Sequence, residues 1–381
     1  MYKYLITGGL GYIGSHIVVS LLNNPTTERV FIIDNLINSY EEKLAAIRNL
    51  APVEKVVLYK IDLQNLDEVS RIMKHCKPNV VIHLAGLKSV AQSKSWALEY
   101  YNNNMLTTMN LINAMSSNGI QNLIFSSSAT VYSPSTDSSP FTENSPTGQN
   151  LTNPYARSKF FQEEYLKDIQ AAEPKWWNIS ILRYFNPIGA AHPSLQEKNK
   201  PLNVHTPASP NNLYPIVLQV ANSQSELATQ HGTSDASEVA DGTRPYLEVA
   251  ASQGEAASKS NSSAVLEVFG TDYPTPDGTA IRDYIHVQDL AEGHVAVAEK
   301  MHVNENYLVN SGYHVFNLGT GRGTSVKEFV DTFNAVRNTN LPVKYTQRRP
   351  GDVAFSVADV SKAKNILGWE AKRSLEECLS P

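Results

Sequence analysis

Glycines at 8, 11 and 14, set between the apolar run Tyr4-Leu5-Ile6 and the helical stretch Ser15 to Leu22, constrain this chain more than any other feature. A strand that turns into a helix through such a segment lets backbone N–H groups approach a pyrophosphate at the helix N-terminus. Asp34 ends the next apolar run, Val30-Phe31-Ile32-Ile33. It lies twenty residues beyond Gly14, where a carboxylate can accept the ribose hydroxyls of an adenosine. The glycine spacing alone is weak evidence, since plain Gly-rich turns are common. Its place between strand and helix, with the acid at that distance, makes it specific. An acid at 34, where an arginine would favour NADP, points to NAD as the cofactor.

The length of 381 residues allows two lobes or one large α/β domain. A net charge of −5 without any Lys/Arg block makes nucleic acid an unexpected partner. Cys76 and Cys378 are the only two cysteines and stand far apart, so neither a disulfide framework nor a Cys-based zinc site is expected. The ten histidines show no His-Glu-x-x-His spacing, and no catalytic metal is expected. The first strand begins at Tyr2, which leaves no room for a signal peptide. No apolar run approaches ~18 residues, so no membrane span is expected, and the compartment this suggests is the cytoplasm.

Apolar runs alternate with helix-period segments along the first half. Strands are expected at 3–7, 30–34, 56–61, 80–85, 122–127 and 179–184, and helices near 11–22, 40–50, 65–76, 97–117 and 153–172. Such alternation implies an α/β fold, a Rossmann-type doubly wound parallel sheet with helices on both faces. Val80-Val81-Ile82-His83-Leu84-Ala85 is apolar without alternation, as a strand buried on both faces should be. After Tyr184 the texture changes, with prolines and asparagines crowding 186–215. A dinucleotide-binding domain over 1–185 and a smaller C-terminal lobe over 186–381 are therefore expected, with parts of 284–320 packing back on the first domain. Residues 223–264 are rich in Ser, Ala, Glu and Gly and poor in large apolar residues. That composition cannot bury enough surface to order itself. It reads as a disordered insertion between a helix ending near Ala221 and a strand Leu266–Phe269.

Tyr155 and Lys159 stand four residues apart, just after Asn153-Pro154, a plausible helix start. Their side chains share a face. A free tyrosine has a pKa of ~10 and is a poor base. A nearby ammonium and a positive nicotinamide would favour the phenolate, making Tyr155 a candidate acid/base for a sugar or alcohol hydroxyl. The run Phe125-Ser126-Ser127-Ser128-Ala129-Thr130-Val131-Tyr132 leaves the fifth strand at the carboxyl end, where doubly wound sheets bind ligands. Ser128 could bond the reacting oxygen and relay its proton to Tyr155. For Ser126, Ser127 and Thr130 the choice between such a role and strand-end capping stays open.

These segments closely resemble the UDP-galactose 4-epimerase family of extended short-chain dehydrogenases/reductases. The resemblance runs through Thr7–Gly14, Asp34-Asn35, Asp62-Leu63, Leu84–Lys88, Tyr100–Asn104, Ser126–Tyr132, Tyr155–Lys159 and Leu182–Pro187. It continues through Asn211–Leu213, Tyr273–Val287, Asn317–Gly319 and Arg348–Asp352, and covers nearly all the chain except 223–264. It implies an NAD-dependent isomerase that interconverts UDP-galactose and UDP-glucose and commonly forms homodimers through a four-helix bundle.

The resemblance also implies residue roles. Gly8, Gly11, Tyr12, Ile13 and Gly14 would cradle NAD, and Asp34, Asn35, Asp62 and Leu63 would hold its adenosine half. Leu84, Ala85, Gly86, Ser126 and Tyr184 would line its path, with Lys88 and Lys159 on the nicotinamide ribose. Asn103 would lie near the cofactor and brace the catalytic helix. Ser128 and Tyr155 would act at the sugar 4-hydroxyl, with Lys159 completing the catalytic set and Lys88 also near substrate. Phe185, Asn186, Asn212, Leu213, Arg282, Arg349 and Asp352 would clasp UDP, and two arginines suit a diphosphate. Ser356 would stand beside the sugar, small enough to leave room for an N-acetyl group. Relatives usually continue through another short segment beyond Trp369, which concerns local packing more than catalysis. Related 4,6-dehydratases need an acid pair just after Ser128, where this chain has Ala129 and Thr130. A UDP-pentose 4-epimerase and a non-catalytic NAD or UDP-sugar sensor remain as alternatives.

Overall fold

A computed structural model describes residues 1–49, 53–134, 139–190, 212–231, 265–303, 312–349 and 351–380. Its strands are β1 Tyr2–Thr7, β2 Thr27–Ile33, β3 Val56–Tyr59, β4 Val80–His83, β5 Asn122–Ser128, β6 Asn178–Tyr184, β7 Asn186–Ile188, β8 Leu266–Phe269, β9 Ile281–Arg282, β10 Tyr284–His286, β11 Tyr313–Leu318, β12 Thr324–Ser325, β13 Val343–Thr346 and β14 Phe355–Ser356. The helices are α1 Tyr12–Leu22, α2 Glu42–Arg48, α3 Leu66–Cys76, α4 Val90–Ser95, α5 Ala97–Ser117, α6 Pro154–Ala172, α7 Leu213–His231, α8 Val287–Val303, α9 Val326–Arg337 and α10 Leu375–Leu379.

Seven parallel strands form the central sheet in the order β11-β6-β5-β4-β1-β2-β3. Strand order reverses between β1 and β4, so a crevice opens beyond their carboxyl ends. Successive side chains of a strand point to opposite faces, and both faces here are covered. Tyr4, Ile6, Val30, Ile32, Val80 and Ile82 enter a core shared with Ile17 and Leu21 of α1 and Leu290 and Val297 of α8. Leu5, Phe31, Ile33 and Val81 enter the opposite core, against Val69 and Met73 of α3, Leu111 and Met115 of α5 and Leu166 of α6. This is why those strands read as unbroken apolar runs. A third core, around Val217, Leu266, Val268, Phe329 and Phe333, holds the C-terminal elements together.

The first six strands and their helices lie where the sequence places them. β3 and β4 end earlier than expected, at Tyr59 and His83, because the chain leaves the ladder there to line the crevice. β11 extends the sheet beyond β6 and α8 lies on α1, so parts of 284–320 do join the N-terminal sheet. The expected disordered insertion requires a correction. Its first residues, 223–231, continue α7 well past Ala221. Glu226, Leu227 and Ala228 are strong helix formers, and poor core-forming composition does not oppose a local helix. Residues 232–264 fall outside the described ones.

Three buried histidines carry a pH dependence. Burial pushes His83 down to about 3, and His16 and His294 down to about 4. His83 stays neutral between the hydroxyls of Thr7 and Thr108, at 2.7 and 2.9 Å. As pH falls below about 6.5, the unfolded chain takes up protons that the folded chain refuses, so stability drops by about 1.4 kcal/mol per pH unit for each histidine. The loss continues until the folded-state values are reached. Urea unfolding at pH 7.5 and pH 5 checks this, and equal unfolding free energies at the two pH values would contradict it.

Candidate active site

The crevice is built first by missing side chains. Gly8 turns the chain out of β1 with φ +69°, a left-handed conformation, and a Cβ there would lie 3.0 Å from the Ala85 nitrogen. A Cβ on Gly14 would overlap the Gly8 carbonyl oxygen. The turn therefore closes only with glycine, and no side chain caps the amino end of α1. Asp34 braces it: Oδ2 accepts from the Leu10 N–H at 3.0 Å, while Oδ1 accepts from Leu36 N–H at 2.9 Å and Ser39 Oγ at 2.8 Å. Oδ2 keeps a lone pair for a ligand hydroxyl. Asn35 Nδ2 donates to Asp62 Oδ2 at 3.0 Å. Gly8, Asp34, Asn35, Asp62, Leu63, Ala85, Gly86 and Asn103 line one continuous cleft. Ile37, Asn38, Ile61, Leu87 and Thr107 line it too and were not foreseen, because nothing in their types marks them. The glycine cradle, the acid with a spare lone pair and the uncapped helix terminus fit the NAD dinucleotide.

Lys88 directly follows the cleft-lining run Ala85–Leu87. Its side chain reaches solvent, yet the surrounding protein lowers its ammonium by desolvation. Lys43 on α2 is a further cation that no motif announces. Burial pulls it down to about 8, Lys88 adds like-charge repulsion, and Asp34 opposes both.

The hydroxyl pair comes from two elements. Asn153 caps α6, its Oδ1 accepting from the Ala156 N–H at 2.8 Å, and Pro154 occupies the first turn. Such a cap contributes about 1 kcal/mol, enough to fix where the helix begins. Tyr155 is thus set at the very start of α6, and it is buried. Its hydroxyl is turned toward Ser128, the last residue of β5, close enough for the serine to favour the phenolate. Lys159, one turn on, donates from Nζ to the Ser126 carbonyl at 2.9 Å and lies 4.7 Å from the centre of the Phe125 ring. Burial pushes Tyr155 up to about 12, Ser128 pulls the other way, and Tyr100 adds a smaller upward push. Burial brings Lys159 down to about 8, against the attraction of Glu163. Burial, rather than a neighbouring charge, sets the direction of the Tyr155 shift.

The neighbouring hydroxyls are engaged by protein. Ser126 Oγ bonds His294 Nε2 at 3.1 Å, Ser127 Oγ donates to the Glu163 carboxylate, and Thr130 Oγ1 donates to Ser128 Oγ at 3.0 Å. Tyr184 faces Ser128 across the β5–β6 register. Bracing of the catalytic helix falls to Asn104, and the expectation for Asn103 is corrected in that respect. Asn104 Nδ2 donates to Ser158 Oγ at 3.0 Å, and its carbonyl accepts from Gln162. Asn103 faces the cleft instead, because one step along a helix turns a side chain by about 100°.

The C-terminal lobe brings its own group together. Arg282 of β9 pairs with Ser356 of β14 in register, and its Nη2 lies 4.0 Å from Asp352 Oδ1. The Arg349 guanidinium stacks 3.7 Å from the centre of the Phe269 ring, and its carbonyl accepts from the Asp352 N–H. Gly351 abuts Thr152 so closely that a Cβ would meet the threonine side chain at 2.8 Å. The arginine loop therefore lies against the entry to α6. Asn186 Nδ2 donates to the Asp283 carbonyl at 3.1 Å. The Phe185 ring is buried beside Tyr132 and Phe141, so it serves packing. Asn212 is exposed, and Leu213 opens α7.

Among the described residues, no cluster of His, Cys, Asp and Glu is arranged to hold a metal, and no helix is long and apolar enough to cross a membrane.

The NAD dependent epimerase/dehydratase family matches residues 4–210, and the GDP-mannose 4,6 dehydratase family matches residues 256–380. UDP-glucose 4-epimerase of Bacillus subtilis (strain 168) is 41% identical over 98% of this chain and 93% of its own length. A bifunctional UDP-glucose 4-epimerase and UDP-xylose 4-epimerase of Pisum sativum is 40% identical over 98% of this chain and 93% of its own. The crystal structure of UDP-glucose 4-epimerase from Bifidobacterium longum in complex with NAD+ and UDP superposes with a TM-score of 0.78 at 36% identity, covering 99% of this chain and 96% of that one. With the glycine cradle, the Ser128–Tyr155–Lys159 group and these full-length likenesses in agreement, the chain belongs to the NAD dependent epimerase/dehydratase family.

Proposed function

We infer that this chain is an NAD-dependent UDP-glucose 4-epimerase, interconverting UDP-galactose and UDP-glucose by transient oxidation at sugar C4. The observation that carries the reading is the gathering of Ser128, buried Tyr155 and Lys159, its Nζ on the Ser126 carbonyl, at the carboxyl end of a sheet whose glycine cradle fits a dinucleotide. NAD supplies the hydride acceptor and donor for C4 when bound. The chain supplies everything else. Tyr155 takes the proton of the 4-hydroxyl and later returns it, and Ser128 bridges the sugar oxygen and the phenol. Burial holds Tyr155 up to about 12, so its proton leaves only against positive charge, and Lys159 keeps an ammonium at hand. Arg282 and Arg349 suit a diphosphate, Asp352 suits a ribose diol, and Asn186, Asn212 and Leu213 complete the nucleotide hold. A nucleotide held firmly and a sugar held loosely let the 4-keto sugar swing and present its other face. That requires the cofactor to stay in place throughout, since its loss would strand the ketone.

Dehydration is disfavoured despite the dehydratase-family match of 256–380. Ala129 has no acid, and Thr130 spends its hydroxyl on Ser128. The match covers the C-terminal lobe with α8 and β11, and leaves out β5 and α6, which carry Ser128 and Tyr155. A sensor would have little need of Ser128, Tyr155 and Lys159 in one group. The Pisum sativum relative makes UDP-xylose the second substrate to test.

The partner and the compartment belong to the same proposal. Leu98, Leu106 and Met109 of α5 and Phe161 of α6 are exposed on adjacent helices, with Tyr101 against Phe161 at 6.2 Å between ring centres. Such a patch fits a second copy, giving a four-helix bundle. Both cysteines are free and buried, which suits a reducing cytoplasm.

Purified protein given UDP-galactose without added NAD is expected to yield UDP-glucose, read from anomeric proton NMR, and Tyr155→Phe to lower kcat by about a hundredfold or more. Absence of conversion by the folded protein, with and without NAD, would overturn the reading. Ser356 is small and beside Arg282, so UDP-N-acetylgalactosamine should also be converted. Ser356→Tyr should abolish that reaction while sparing UDP-galactose. Light scattering should give a dimer, and the double variant Leu106→Glu/Met109→Glu a monomer.

A further inference from the structure

A second polar layer lies behind the hydroxyl pair. Glu163 follows Lys159 by one turn of α6 and is 2% exposed. Arg183 Nε donates to both of its carboxylate oxygens at 3.1 Å, and Nη2 donates to Oε2 at 2.6 Å. Ser127 Oγ donates to Oε1. Arg183 Nη1 donates to the Glu143 carbonyl at 3.2 Å, and its guanidinium stands 4.9 Å over the Tyr132 ring. Ser127 and Arg183 are opposite each other in the β5–β6 register, one step before Ser128 and Tyr184. One buried ion pair thus joins α6, β5 and β6, the three elements that carry the site.

We propose that Glu163 is the positioning residue of Lys159: fixed by Arg183 and Ser127, its carboxylate is the buried counter-charge that keeps the ammonium charged and aimed at the Ser126 carbonyl. The proposal rests on the epimerase reading above. Packing does not account for the pair, because apolar residues of similar volume usually serve stability as well as a buried ion pair does. Helical geometry puts Lys159 and Glu163 on one face. The other titratable groups around this face come from α6 (Tyr155), α5 (Tyr100), β4 (His83), β6 (Tyr184), α8 (His294), β11 (Tyr313) and the turn after β5 (Tyr132). Burial pushes the tyrosines up and the histidines down, His83 to about 3 and His294 to about 4, so all are neutral near neutral pH. Arg183 is taken up by Glu163. Burial draws Lys159 towards losing its proton, and among the described residues Glu163 is the carboxylate that opposes this. Without it the ammonium deprotonates at lower pH, and the phenolate of Tyr155 loses its cation.

The test is the pH profile of kcat and KM for UDP-galactose. Glu163→Gln leaves Arg183 buried and unpaired and can fail to fold, so Glu163→Gln/Arg183→Met, which removes both charges, is measured beside it. The basic limb of kcat is expected to move down by about one pH unit, giving about a tenfold loss near pH 9, little loss near pH 6.5 and an unchanged KM. In protein labelled with 13Cε-lysine, the Lys159 resonance should titrate at correspondingly lower pH. A folded variant with the wild-type limb and the wild-type lysine titration overturns the proposal. Wild-type protein that does not epimerise overturns the functional reading instead, and the lysine titration still decides the role of Glu163.

Discussion

The close approach of Gly14 to the Gly8 carbonyl is the constraint on which the rest of this structure depends. A Cβ on Gly14 would push α1 away from β1, and one on Gly8 would press on Leu84 and Ala85 beyond β4. The approach also fixes chain direction at the switch between β1 and β4. Asp34 then locks the turn from the next strand, bonding Leu10 and Leu36 across it. A turn of this kind is expensive in backbone entropy, and glycine loses the most on ordering. The two-sided apolar core offsets that cost, since each fully buried Val, Leu or Ile contributes about 1.5–3 kcal/mol. Rigid strands beneath and a side-chain-free loop above are two halves of one solution.

Most of the dinucleotide-binding half was legible in the sequence for the same reason. Where a strand is buried on both faces, its residues are apolar without alternation, and Val80-Val81-Ile82 announces itself. The glycines and Asp34 sit at distances set by strand and helix lengths. Tyr155 and Lys159 are visible because one helical turn separates them. What was not legible depends on contacts distant in sequence. β11 pairs with β6 across more than a hundred residues, and Tyr313–Leu318 carries no sign of its partner. Asn103 and Asn104 are chemically identical, and only the rotation of α5 decides which faces the cleft and which braces α6. The continuation of α7 through 223–231 was missed because composition reports what a segment can bury, and a short helical extension need bury little.

Charge is arranged in depth here. The outermost cations, Lys88 and Lys43, are both lowered first by desolvation, and Lys43 feels the opposing charge of Asp34 in the cleft. The next layer holds Lys159 and the buried tyrosines, where the same burial raises phenols and lowers ammonium. The two shifts bring the acid and the base away from their ordinary values in opposite directions, so neither form of Tyr155 is settled by burial alone. The innermost layer is the Glu163–Arg183 pair, with Ser127 also on the carboxylate. A buried network bonded in this way is rigid, and rigidity is what a hydroxyl pair of fixed geometry requires.

The scaffold does not choose the reaction; two side chains do. Matches to an epimerase/dehydratase family over the N-terminal half and to a dehydratase family over the C-terminal part show that one architecture supports both chemistries. Removing water across a C–C bond needs an acid and a base in line with the hydroxyl residue. At that point β5 passes into a short 3-10 turn, Ala129–Val131, capped by the Ser128 hydroxyl itself. Ala129 offers no proton, and Thr130 turns inward to bond Ser128. With no group to draw a proton from the neighbouring carbon, a ketone formed at C4 has one productive course left, which is to take hydride and proton back. Epimerisation follows from that poverty together with the freedom of the sugar to turn: the site does one thing well because it lacks the residues for the next.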